Sequence, residues 1–520
     1  MNFKSSSRSG RQNGPSAVDL RIVLGLLALA LVLRVYDLTG ESLWFDEAYA
    51  VWSSAMDIAS PRVLWEWQIE FPLYHLLLHF WMRLFGQGDL AVRAFGALAG
   101  TLTVVPMYSW GKGLFGRRTG ALGALLLAVN PFHIWYSQEV RMYAWALLFT
   151  VASLHAFWRM VNEGTWRWVL AHLMLTGLAF HLHYYIAWVV LAEDFFYLLR
   201  LWRLRGGSLK RNTRARLPAS ADRNCRQAAT RWLLGQLGVL ILALPAFGVF
   251  QTKLVTFNQW GWLSQRYGAP GLGDVLGLFF TYTMGLAFPG PSGLRWVVLG
   301  VFLALASWGI MRAAQFPYPG LSSQPEQTER REALGLTVLA VGLPLALVFA
   351  SGQFVSTWVP RYLLLFLPPF LLLVAAGVDR MGPKLGAGVT VLLLAASLYS
   401  LTGMYGVQQK EDWRGVAAYL DAHAGQDDLV VLMDEECRVP LDYYYHSDSP
   451  RLEVSRFADG ATLDSVVARI WSDKRGGHLW LVVSHADSEG LEARLNALPD
   501  LRAVGGPEFV GIKLARYAWS

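Results

Sequence analysis

The stretch IVLGLLALALVLRVYDLTGESLWFDEAY, residues 22–49, decides how the chain is read. Residues 22–33 form an unbroken apolar run, and soon after it two adjacent carboxylates, Asp46 and Glu47, sit among Trp44, Phe45 and Tyr49. Such a run, set in a stretch of roughly 20 residues, can cross the hydrocarbon core of a bilayer. Two carboxylates between aromatic rings at a membrane surface are costly to desolvate unless they bind a cation or take part in chemistry. The plainer alternative is a solvated loop with aromatic anchors. Lys4, Arg8, Arg11 and Arg21 precede the run, and Arg34, Val35, Tyr36 and Asp37 follow it. No small-residue cleavage site lies there, so an uncleaved first span is expected.

Working outward, 54% of the 520 residues are hydrophobic and 16% are charged, against roughly 25% charged in a typical soluble protein. Apolar runs recur at residues 121–129 and 391–398, and 23 Trp, 20 Tyr and 27 Phe supply rings that membrane interfaces favour. The expected class is an α-helical polytopic membrane protein with about eleven spans. The net charge of +7 comes largely from one connection, where Arg200, Arg203, Arg205, Lys210, Arg211, Arg214, Arg216, Arg223, Arg226 and Arg231 crowd together. That pattern marks a loop held on the cytoplasmic side rather than a nucleic-acid surface. Cys225 and Cys437 fall in segments expected on opposite sides, so no disulfide framework is implied.

The expected organisation is a cytoplasmic tail at 1–19, a membrane part at 20–404 and an extracytoplasmic domain at 405–520. The membrane part includes a first outer loop at 39–88, with residues 72–85 lying along or dipping into the surface, and a basic inner loop at 201–231. Beyond Tyr405 acidic residues outnumber basic ones, and apolar runs shorten to residues 429–433 and 479–483. These read as buried strands, with amphipathic helices at 413–423 and 463–471, hence a soluble α/β domain. An odd number of spans from an inner N-terminus puts this domain outside.

Other polar groups gather at outer span ends. Glu70 precedes Phe71-Pro72, where a carboxylate also complements a helix dipole. His75 and His79, one helical turn apart, have the spacing of a metal pair and equally that of an interfacial helix with polar tips. Tyr136-Ser137-Gln138-Glu139-Val140-Arg141-Met142-Tyr143 closes four polar groups around one turn, either as a surface ion pair or as a cleft. His181 and His183 point to different faces if helical. Arg361-Tyr362, after Pro360, begins a span from the outside and could bind a lipid phosphate or reach to headgroups.

Taken together, Trp44 to Tyr49, Pro72-Leu73-Tyr74 with Leu76-Leu77-Leu78-His79, Leu114-Phe115-Gly116-Arg117-Arg118, and Pro131 to Glu139 with Arg141-Met142-Tyr143 resemble the bacterial members of glycosyltransferase family 39. That group is similar to protein O-mannosyltransferases and to the lipid A aminoarabinose transferase, all of the GT-C fold. The resemblance is dense over residues 40–145 and looser at Trp358 to Leu364 and at Glu411-Asp412-Trp413-Arg414.

The resemblance implies an enzyme that transfers a hexose or pentose, by inversion, from a polyprenyl-phosphate-sugar donor. The acceptor would be a lipid, a protein or a cell-envelope glycan at the outer face of the cytoplasmic membrane. Membrane lipids are implied partners, and nucleic acid is not. Asp46 is the implied catalytic base, with Glu47 beside it and Glu139 as a further catalytic carboxylate. Glu70 falls where lipid A-modifying relatives place a metal-binding glutamate, which brings a divalent metal ion into question as cofactor. Those relatives carry lysine at the next position and this chain carries Phe71, so Arg141 or Arg361 would take the donor phosphate. Tyr143, Tyr362 and His183 complete the substrate-binding set. The competing expectation is a transporter or flippase of lipid-linked sugars, which would place ionisable groups near mid-membrane instead.

Overall fold

The computed structural model describes residues 16–60, 63, 72–209, 219–260, 268–315, 324–472 and 477–520. Glu70, and with it the expected metal position, lies outside the described residues. Seven helical segments among the described residues are long and apolar enough to cross a membrane: 89–115, 143–163, 229–248, 292–312, 327–352, 360–379 and 383–406. The protein is thus a multi-pass membrane protein. Four more expected spans coincide with helices that are shorter or more highly charged: Ala17–Val35, Arg117–Val129, Trp166–Phe180 and Ile186–Leu209. The expected loop at 201–231 is partly helical, since Ile186–Leu209 runs into it and Ala219–Trp260 emerges from it. Residues 72–85 form the helix Pro72–Phe85.

Segment 360–379 lies at the centre of the helical part, with 94% of its window buried by its neighbours. It opens as a 3-10 turn at Pro360–Phe366, and a proline pair, Pro368 and Pro369, lies in the first turn of the α-helix Leu367–Asp379. Proline fits there because the first helical turn has no intrahelical partner for its N–H groups. Leu24, Val32, Leu240, Leu244, Val391 and Leu392, by contrast, are exposed. Apolar side chains on the outside of an apolar bundle are what contact with lipid tails requires.

Two glycines set the geometry around the 137–139 turn. A methyl group at Gly96 would lie 2.8 Å from the carbonyl oxygens of Ser137 and Glu139, and one at Gly100 would strike the Ser137 side chain. Spaced four apart on the helix Asp89–Leu102, they let the 137–139 turn rest on helix backbone. Asn130 caps the short helix Pro131–Ser137 through His133 N–H at 3.0 Å, and its amide donates to Tyr282 O at 2.8 Å. Arg34, fully buried, donates to Ala30 O and Ala128 O at 3.0 Å and meets His133 Nδ1 at 2.8 Å. The first helix is thereby tied to the same turn.

After the helix Pro383–Gly406 the chain forms an α/β unit. Strands β1 (Leu429–Met433), β2 (Arg451–Val454), β3 (His478–Val483), β4 (Leu501–Gly505), β5 (Glu508–Phe509) and β6 (Ile512–Trp519) make one sheet of order β2-β1-β3-β6-β4, with β5 paired to β6. β1 is parallel to β2 and β3, and β6 is antiparallel to β3. Helices Trp413–His423 and Gly460–Ser472 cover opposite faces through Leu420 and Ile470, and β1 alternates its apolar side chains between the two resulting cores. Burial on both faces explains why β1 reads as a continuous apolar run. Cys437 is buried and unpaired.

The α/β unit docks on the segment between the helices Ala17–Val35 and Phe45–Ala55 and on the start of the helix Asp89–Leu102. Ser42 Oγ donates to Glu411 O at 2.6 Å, Leu43 N–H to Tyr444 Oη at 2.8 Å and Arg414 to Asp89 at 2.5 Å.

Candidate active site

Four segments far apart in sequence meet at one place. Asp46 and Glu47 lie in the first turn of the helix Phe45–Ala55, Glu139 and Arg141 in the turn before the helix Tyr143–Glu163, His183 after Trp166–Phe180, and Arg361 and Tyr362 in the 3-10 turn. Arg361 Nη1 stands 3.3 Å from Asp46 Oδ2, and Arg141 Nη1 lies 3.4 Å from the Asp46 carbonyl. An aromatic wall continues from Arg361: the Tyr362 ring is 4.9 Å from His183 and 6.2 Å from Tyr143, and Tyr143 is 5.8 Å from His183. The guanidinium of Arg361 also lies 6.0 Å from the Trp44 ring. The Tyr143 hydroxyl is buried with no hydrogen-bond partner among the described residues.

The two neighbouring carboxylates differ sharply. Asp46 keeps about a fifth of its side chain exposed (21%), whereas Glu47 is fully buried. Arg93 grips Glu47 at both oxygens, at 3.2 and 2.8 Å, Lys410 adds a contact at 3.0 Å and Val140 N–H donates at 3.0 Å. Burial pushes the Glu47 carboxyl up, but Arg93 and Lys410 together outweigh it and lower it to about 2. Arg93 spends its remaining donors on Leu38 O, Glu41 O and Ser42 O. Glu47 thus fastens the loop that carries Asp46.

Glu139 is 3% exposed. Its Oε1 accepts from Trp135 Nε1 at 2.8 Å and lies 3.9 Å from Lys410 Nζ, while Oε2 has no hydrogen-bond partner among the described residues. Burial raises its carboxyl to about 7, against the pull of Lys410 and Arg361 and with the push of Glu47 and Asp46. Glu139 is therefore poised near neutrality.

The histidine pair at 75 and 79 is buried and engaged with the neighbouring helix. His75 Nδ1 meets Ser53 Oγ and Ser54 Oγ at 2.9 and 3.0 Å, and His79 Nδ1 meets Ser54 O at 2.7 Å. His181 meets Leu242 O at 2.9 Å, away from His183. Among the described residues, no three His, Cys, Asp or Glu side chains converge on a point that could hold a metal. Cationic side chains, Arg361 and Lys410, stand beside Asp46 and Glu139 instead.

Reading the sequence by residue missed Arg93 and Lys410. The α/β unit comes within electrostatic range of the site: the Glu436 carboxyl is raised by burial, then by the negative charge of Asp434 and, last, of Asp46. Glu436 and Asp434 both pair with Arg456, which engages them within the domain. Replacing residues 434–436 with alanine is therefore expected to leave turnover within about tenfold, a barrier change of about 1.4 kcal/mol. A total loss in folded protein would place chemistry in that domain.

Comparison with known proteins accords with this geometry. The family described as dolichyl-phosphate-mannose-protein mannosyltransferase matches residues 70–212, which carry Glu139, Arg141, Tyr143 and His183. The structure is similar to ArnT from Cupriavidus metallidurans bound to undecaprenyl phosphate, with 16% identity, a TM-score of 0.57, and coverage of 95% of this chain and 97% of that one. It is also similar to the oligosaccharyltransferase AglB from Archaeoglobus fulgidus in complex with an inhibitory peptide and a dolichol-phosphate. There the identity is 12%, the TM-score 0.51 and the coverage 96% of this chain and 74% of that one. Curated protein sequences give no match. These solved structures share their overall fold, that of the GT-C membrane glycosyltransferases, with this chain. Within that fold the chain is like family 39.

Proposed function

We propose that this glycosyltransferase moves a single sugar from a polyprenyl-phosphate donor to a hydroxyl acceptor at the outer face of the cytoplasmic membrane. The observation that carries the reading is the meeting of Asp46 with Arg361, Arg141 and the aromatic wall at the outer helix ends. Displacing phosphate from an anomeric carbon needs a base for the incoming hydroxyl and positive charge for the departing phosphate. Asp46, partly open to solvent, takes the acceptor proton as the new C–O bond forms. Arg361 and Arg141 receive the negative charge as the bond to phosphate breaks. One displacement on opposite faces inverts the anomeric centre. The likeness to ArnT bound to undecaprenyl phosphate and to AglB with a dolichol-phosphate supports a polyprenyl-phosphate carrier.

No step is routed through a metal, because the described residues offer cations rather than a ligand set beside Asp46. A related A. fulgidus oligosaccharyltransferase is described in complex with Zn and sulfate. The resemblance makes Glu70 the candidate ligand in this chain, and chelation followed by a turnover assay tests it.

The test of function is incubation of the purified protein with radiolabelled polyprenyl-phosphate sugars and cell-envelope acceptors. Transfer moves label from lipid to acceptor or water. A flippase would leave all label on the lipid, and that result would overturn the reading.

The proposed orientation puts residues 405–520 outside and the basic connection inside. Alkaline phosphatase fused after Tyr405 should be active and fused after Lys210 inactive. Alanine at Arg361 should weaken binding of polyprenyl phosphate by roughly ten- to hundredfold, the loss of one charge-assisted contact of about 1.5–3 kcal/mol. Arg141→Ala should act in the same direction. Equilibrium binding of labelled polyprenyl phosphate checks both.

A further inference from the structure

Lys410 belongs neither to the membrane helices nor to the sheet. It lies on the short joint between the helix Pro383–Gly406 and the helix Trp413–His423. Its ammonium is only 9% exposed, 3.0 Å from Glu47 Oε2, 3.9 Å from Glu139 Oε1 and 5.6 Å from the centre of the Trp135 ring. One cation therefore links the two acidic turns. The flanking residues are anchored as well: Gln409 N–H donates to Glu41, and Glu411 O accepts from Ser42. A small cavity lined by Glu41, Arg93, Trp135, Gln138, Tyr405 and Lys410 opens behind the ammonium.

We propose that Lys410 is a positioning residue of the transfer site, fastening the Glu47 and Glu139 turns together so that the site is complete only while the outer domain is docked. The inference rests on the reading of this site as a glycosyltransferase centre. A cation placed between two buried carboxylates favours the ionised form of each and offsets their mutual repulsion. Arg93 is committed to Glu47, so the charge opposing ionisation of Glu139 is balanced from the joint. The charged groups facing Glu139 are Asp46 and Glu47 from the helix Phe45–Ala55, Arg361 from the 3-10 turn, and Lys410. Of the two cations, Lys410 has the larger effect. Its removal should raise the Glu139 carboxyl further. The joint thereby transmits outer-domain position to the ionisation of a site carboxylate.

The experiment compares wild type, Lys410→Met and Lys410→Arg in full-length purified protein. Turnover is measured across pH, and binding of polyprenyl phosphate serves as a control for fold. In the wild type, turnover should rise as pH passes through the Glu139 titration. Lys410→Met should move that acid limb to higher pH by about one unit or more, cutting turnover at pH 7 about fivefold or more with donor binding nearly unchanged. Lys410→Arg should restore the limb. A lowered profile of unchanged shape, or turnover within twofold of wild type at every pH, would overturn the inference. Infrared difference spectra supply a readout that needs no turnover: the carboxylic-acid band removed by Glu139→Gln should persist to higher pH in Lys410→Met. An unmoved band would also overturn it. A wild-type protein that releases no label from any polyprenyl-phosphate sugar defeats the glycosyltransferase reading instead, and the infrared band still judges the role of Lys410.

Discussion

Asp46→Asn should lower turnover by roughly 10²- to 10⁴-fold while donor binding survives. Asparagine keeps the size of the side chain and still hydrogen-bonds Arg361, 3.3 Å away, but it cannot take the acceptor proton. The loss belongs in kcat rather than in donor affinity. Because Asp46 has one-fifth of its side chain exposed and Glu47 none, the partner carboxylate cannot step in without breaking its own ion pairs. The check is single-turnover transfer from a labelled donor together with equilibrium binding on the same preparation. Near wild-type turnover would move the base elsewhere and remove the central element of the proposed mechanism.

The second large effect is expected at Arg93, and it is one of stability. Arg93→Leu strips Glu47 of its two-point partner inside the protein and leaves an incompletely paired buried carboxylate. Breaking one side of a buried ion pair costs about 3–5 kcal/mol, whereas replacing both partners by apolar residues of similar volume is often close to neutral. Arg93→Leu should accordingly lower the unfolding midpoint markedly in a thermal scan in detergent. Glu47→Gln alone should destabilise by a smaller amount, since the amide can still accept from Arg93. The double variant Glu47→Leu with Arg93→Leu should recover part of the loss from Arg93→Leu alone. Additive losses would mean that Glu47 is not the partner that makes Arg93 indispensable. The carbonyl oxygens of Leu38, Glu41 and Ser42 also lose their donor in every Arg93 variant, which limits how complete the recovery can be.

Periodicity and length made much of the fold readable. The runs at 429–433 and 479–483 form strands because a sheet buried on both faces demands continuous apolar residues, and 413–423 is a helix with one apolar face. Asp46, Glu139, Arg141 and Arg361 stood out because charge next to membrane spans is costly and therefore rare. Arg93 and Lys410 did not. Arg93 lies in a helix whose start, Asp89-Leu90-Ala91-Val92, looks like an ordinary interfacial turn, and Lys410 lies in Gln408-Gln409-Lys410-Glu411-Asp412, which reads as a solvated linker. Their burial depends on partners 46 and 363 positions away, and no local pattern encodes such a pairing. Gly96 and Gly100 are similarly silent until the 137–139 turn is seen resting on them. The histidines at 75 and 79, whose spacing suits a metal pair or the polar tips of an interfacial helix, are engaged with Ser53 and Ser54.

The docking of the α/β unit combines polar contacts, from Ser42 to Glu411, Leu43 to Tyr444 and Arg414 to Asp89, with the packing of Val439, Tyr443 and Tyr444 on the helical core. The helical part is held by close packing of apolar side chains. Concentrated salt screens the Arg414–Asp89 ion pair of the dock and leaves the apolar packing of the helices almost untouched. An enzyme preparation can then be inactivated while its helices stay folded. Circular dichroism, which reports mostly those helices, would register an intact protein after the outer domain had already lifted away, so storage conditions for such an enzyme are better chosen by following turnover than by following helix content.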